Sequence, residues 1–167
     1  MKSRFATVIM FASSVGWAAP PSKNLVKSCL QARSVSLSVT IRNINVEEVF
    51  QEDGYADGFN ASYIFKYEGV DMGYAERKRD QALIYSGKLY RLSNSIPIGS
   101  NSEVKSTAFN PTLAQWSLAK EGKQQYFCVG FNFYGLGQSG SFQNVHGGYL
   151  LNLKNRDVYF AVRDIRQ

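Results

Sequence analysis

The chain contains one histidine, His146, and only two cysteines, Cys29 and Cys128, among 167 residues. A lone imidazole excludes His-pair metallohydrolases and two-histidine acid–base schemes, and the three soft ligands lack the close spacing of a metal site. Apart from the N-terminus, no stretch approaches the roughly eighteen apolar residues of a membrane-spanning helix. A basic face interleaved with aromatic rings is also missing. The densest basic cluster, Glu76 to Asp80 (ERKRD), is closed by an acid at each end and reads as a solvated turn, so nucleic acid is not an expected partner. Internal repeats, low-complexity tracts and linkers are absent too, which leaves one domain.

What is present begins at the N-terminus. Lys2 and Arg4 precede an uncharged apolar stretch from Phe5 to Val15, and the small residues Gly16 and Ala18 then frame a cleavage point before Ala19. This is the layout of a secretory signal peptide. The expected organisation is a leader at 1–18 and a single exported domain at 19–167, periplasmic or secreted. Loss of Lys2 and Arg4 would lower the net charge from +6 to +4. Cys29 follows PPSKNLVKS and does not adjoin the apolar core, so it is not a lipid-attachment cysteine. In an oxidising compartment, Cys29 and Cys128 are expected to form one disulfide, the rival being a free thiol. A bond closing a loop of about 100 residues would contribute ~4–5 kcal/mol.

Turn residues recur every eight to twelve positions, and tyrosine and phenylalanine are abundant, which favours strands. SVSLSVTIRNI alternates Val35, Leu37, Val39 and Ile41 against polar neighbours and predicts a half-buried strand. ASYIFKYEGV and MGYAERK predict two strands joined near Gly69 to Asp71. ALIYSGKLYRLS predicts a hairpin turning at Ser86-Gly87-Lys88. Residues 94–112 lack a pattern. NPTLAQWSLAKEG offers Asn110 as an N-cap, Pro111 and Gly122 as helix signals, yet its alternation through Trp116 and Leu118 into QQYFCVGFNFY favours a hairpin. GYLLNL and DVYFAVRDI flank KNRD as another hairpin, and Leu25, Val26, Cys29 and Leu30 are spaced for a short helix. The predicted fold is mainly β, with α+β as the alternative: one domain, an antiparallel sheet or sandwich with one short N-terminal helix.

Motif-like fragments do not assemble into catalytic machinery. Gly135, Gly137 and Gly140 spell a dinucleotide fingerprint after a strand, but the following SFQNVHGGYLL leads into another strand instead of the required helix. No cofactor is expected. Gly137-Gln138-Ser139-Gly140 resembles a protease serine fragment, and a Ser139–His146 pair oriented by Asp157 or Asp164 would make a small hydrolase. That family's order places histidine before serine, however, and the nucleophile-elbow spacing is broken by Ser141. EDGYADGFN approximates a calcium loop, but Tyr55 and Ile64 stand where oxygen ligands belong, so it reads as an acidic solvated turn. Neighbouring acids such as Glu47 and Glu48 do not imply a carboxylate pair across a cleft.

Ser86-Gly87-Lys88-Leu89-Tyr90 resembles the Ser-Gly-x-x-Tyr loop of periplasmic inhibitors of c-type lysozyme. Those are small exported antiparallel β domains, and that loop enters the enzyme's cleft. The resemblance covers five residues. It departs from the family in that the Tyr-x-Cys strand (Tyr126, Cys128) follows the loop here. The expectation is a non-enzymatic inhibitor or immunity protein that occludes an envelope protein, such as a cell-wall hydrolase or delivered toxin. Partner contacts are expected from the turn (Ser86, Lys88, Tyr90) and the glycine-rich loop 135–148 with its flank (Tyr134, Gln138, Ser139, Phe142, His146). The alternatives are the serine hydrolase and a carbohydrate-binding module using loop aromatics such as Tyr55, Phe59, Tyr134 and Phe142.

Overall fold

The structure, a computed structural model, describes residues 19–99, 109–132 and 145–164. The first half comprises helix α1 (Lys23–Gln31) and strands β1 (Val39–Asn43), β2 (Phe50–Ala56), β3 (Phe59–Tyr67), β4 (Val70–Arg77), β5 (Asp80–Tyr85) and β6 (Lys88–Arg91). A short β7 (Ile96–Ile98) leads to β8 (Gln115–Glu121), β9 (Gln124–Asn132), β10 (Val145–Asn152) and β11 (Val158–Asp164). The described helix is far too short to cross a membrane.

Strands β2 to β6 form a five-stranded meander because two residues suffice at each reversal: Asp57-Gly58, Glu68-Gly69, Lys78-Arg79 and Ser86-Gly87. In the three X-Gly turns both residues have positive φ, the geometry whose twist matches flanking antiparallel strands. The remaining strands build a six-stranded sheet in the order β1-β8-β9-β10-β11-β7, antiparallel except for the β11–β7 pair.

The sheets face one another across the main core. Phe65, Met72, Tyr74 and Leu83 of the meander meet Trp116, Phe127, Tyr149 and Phe160 of the larger sheet, all at most 3% exposed. This is a β-sandwich. Helix α1 covers the far side of the six-stranded sheet, where Leu25 and Cys29 pack on Ala119, Tyr126, Cys128 and Leu150. Its ends are closed by the Ser22 hydroxyl, which accepts from the Leu25 N–H at 3.1 Å, and by Ala32 in the left-handed region. The helix lies flat because Gly130 and Gly148, directly paired, leave a smooth seat beneath it. A Cβ on Gly148 would stand 2.6 Å from Leu30 Cδ2 and 2.9 Å from the Val129 carbonyl oxygen. The expected Cys29–Cys128 disulfide fastens the helix to β9.

A second, smaller core lies on the other face of the meander, formed by Phe59, Ala61, Ile64, Ala75, Ala82 and Ile84. Phe59 is fully buried under the guanidinium groups of Arg77 and Arg91, at 4.9 and 5.6 Å from its ring. Asp80 holds both arginines in place, at 3.4 and 3.8 Å. This layer makes Phe59 a core residue and withdraws it from the exposed rings that the carbohydrate alternative required.

Two expectations need correction. The strand predicted from Val35 begins only at Val39, and Leu37 is fully exposed at 109%. Serine side chains take the backbone before Val39 out of the ladder: the Ser28 hydroxyl accepts from the Val35 N–H and the Ser36 hydroxyl from the Ser38 N–H. Conversely, EDGYADGFN is not merely an acidic turn. Residues 52–56 belong to β2, and only Asp57-Gly58 reverses the chain. Register shifts between Phe50 and Ala56 let this edge strand bend across β3 and so mask its alternation. The hairpin reading of 115–132 holds, and the helix signals at Asn110 and Pro111 cap only a single 3-10 turn, Pro111–Leu113.

Candidate functional site

The β5–β6 turn presents Ser86, Gly87 and Lys88 to solvent. Positive φ at Ser86 (52°) and Gly87 (71°) sets the reversal, and the Ser86 N–H donates to the Asp71 carbonyl at 2.7 Å, tying the tip to β4. Tyr55 crosses from β2 to the same tip, its hydroxyl 4.0 Å from where a Cβ on Gly87 would be. Burial, with Asp71 and Glu52 nearby, pushes the Tyr55 phenol above its ordinary pKa, so it stays a neutral donor. Tyr90 behaves differently from the other two turn residues. It pairs with Leu83 and leans, half-buried, on the main core. A partner would therefore meet Ser86 and Lys88 first.

His146 lies on β10, half-buried, in register with Asn132 and Arg163. Strand alternation puts it on the same face as Gly148 and Leu150, the side covered by α1. It thus belongs to the larger sheet, whereas the 86–88 turn belongs to the meander. Tyr134, Gln138, Ser139 and Phe142 lie outside the described residues, as do Gly135, Gly137 and Gly140.

The sequence reading missed a pair of clefts that meet at Tyr63, one beside the end of β1 and the start of β8, the other between the meander and residues 109–112. The first, about 410 Å3, is lined by Gln31, Asn43, Asn45 and Gln115 together with Tyr63 and Trp116. The second, about 590 Å3, presents Gln51, Gln81 and Asn110 beside Tyr74 and Phe109. Tyr63 and Thr112 border both. Tyr63 stacks on Trp116 (centroids 5.8 Å apart, planes 8° apart), which stacks on Phe127 (5.6 Å, 17°). Trp116 and Phe127 are buried, so half-buried Tyr63 forms the accessible end of this stack. A register shift between Ala61 and Tyr63 aims Tyr63 inward, a bulge that periodicity in the sequence does not disclose. Burial raises the Tyr63 phenol above its usual pKa and, helped by Glu76, raises Tyr74 further. Two polar atoms in the cleft-lining residues, Trp116 Nε1 and Ser62 Oγ, are buried without a hydrogen-bond partner among the described residues.

The chain matches no protein-family model, no curated protein and no solved structure. Function therefore has to be argued from these sites alone.

Proposed function

We propose that this chain is an exported, non-enzymatic binding protein, periplasmic or secreted, that occludes a partner protein such as a cell-wall hydrolase or delivered toxin. The observation that carries this reading is the β5–β6 tip: a short polar turn with fixed backbone, tied to β4 and flanked by Tyr55. A rigid tip gives up little conformational entropy on entering a cleft. Lys88 adds an exposed charge that can steer approach to an acidic enzyme surface. The leader-like residues 1–18 and the buried disulfide are consistent with an oxidising compartment.

The test is a pull-down of envelope extract with tagged wild type and with Lys88→Glu, alongside the melting temperature of each. The expected result is a protein partner retained by wild type and bound on the order of tenfold more weakly by the variant, with equal melting temperatures. Recovery of no partner, or equal recovery by both proteins, would overturn the proposal.

A further inference from the structure

We infer that the paired clefts around Tyr63 bind an uncharged carbohydrate chain. The lining chemistry selects the ligand class. Of the described residues that border the clefts, Glu76 alone carries a charge, so among them neither phosphate nor a polyanion finds a counter-charge. Amide side chains dominate the polar lining; the Gln31 and Asn110 oxygens already accept from Arg33 and Thr112, which leaves their NH2 groups as donors, while the other amides bring a donor and an acceptor each, as a row of sugar hydroxyls requires. A lipid tail would strand those amides without partners.

The aromatic geometry supplies the second half of the argument. A pyranose has an apolar face that rests on an aromatic ring, and Tyr63 offers one held rigid by Trp116 and Phe127 behind it. Because Tyr63 and Thr112 border both clefts, two consecutive sugars have room, one on either side of that ridge. The indole N–H of Trp116 and the hydroxyl of Ser62, buried without a partner among the described residues, are polar groups that ligand hydroxyls would pair after a small local movement. This site is separate from the β5–β6 tip and does not depend on it: no residue from 86 to 90 lines either cleft.

The experiment titrates isotope-labelled protein with chitotetraose, cellotetraose and maltotetraose and follows backbone amide shifts. At least one tetrasaccharide should shift Asn45, Thr112 and Gln115 saturably. Tyr63→Ala should weaken that binding roughly three- to tenfold, as expected for loss of one aromatic contact, while Tyr63→Trp retains it. Asn45→Ala and Gln115→Ala, at exposed positions that do not threaten folding, should each weaken it about threefold. Lys88→Glu should leave it unchanged, which separates this site from the protein-binding tip. Absence of shifts with all three probes, or binding that survives Tyr63→Ala and both amide variants undiminished, would overturn the inference.

Discussion

Opening the Cys29–Cys128 bond should remove a large share of the stability of this fold. The two cysteines are 99 residues apart in sequence, and both are buried, at 1% and 0% exposure. A loop of about 100 residues, put through the chain-entropy relation, gives a loss near 4.7 kcal/mol at room temperature. Domains of this size are stable by about 5–15 kcal/mol, so the loss spans a third to nearly all of the total. With a urea slope of about 2 kcal/mol/M, the unfolding midpoint should fall by roughly 2 M. Cys29→Ala, Cys128→Ala and the double variant should be nearly equal, because each removes the same bond and the second change adds only a small packing loss. Helix α1 should also show the earliest loss of amide-exchange protection, since it loses its only covalent hold on β9. The assay is urea unfolding followed by circular dichroism, with amide exchange on the double variant. A cost below about 1 kcal/mol, or single variants whose costs add up to the double, would refute the reasoning.

Two further perturbations probe the packing. Leu37→Ser should change stability by less than about 0.5 kcal/mol in the same unfolding assay, because the side chain is wholly exposed; a loss of about 2 kcal/mol or more would restore the buried strand that alternation suggests. Tyr55, Tyr63, Tyr74, Tyr85, Tyr126 and Tyr159 all have phenol pKa values raised above the ordinary 10.0, burial being the largest cause for each. Such a phenol ionises first in the unfolded chain, so its contribution to stability is intact below the unfolded pKa and is lost as pH rises through the higher folded values. Spectroscopic titration should show these tyrosinates appearing late, together with unfolding, and free titration of all tyrosines near 10.0 in the folded protein would contradict the burial.

Local chemistry was legible where it acted alone. Ser86-Gly87 announced its hairpin because that pair admits the positive φ the turn requires, and Trp116 and Leu118 carried enough alternation to outweigh the helix signals at Asn110 and Pro111. The cysteine pair was readable from its count of two and the leader-like N-terminus. Readings failed where other groups, near or distant, compete with the local pattern. Leu37 sits in a perfect alternation, yet neighbouring serine hydroxyls and backbone bonds hold it in turns. Phe59 adjoins glycine and asparagine, but two arginines contributed by other strands close over it. The Tyr63 clefts depend on a bulge in β3, on the position of β1, and on a 3-10 turn about fifty residues later, so no local signal marks them. The parallel β7 pairing is equally non-local, since three residues carry no period of their own.

Docking of the β5–β6 tip on another protein is open to a test in living cells. A photoreactive amino acid is introduced in place of Lys88, with the likewise exposed Leu37 as the control position. Illumination should yield a covalent adduct to one envelope protein from position 88 and none from position 37. No adduct at 88, or the same adducts from both positions, would contradict the account.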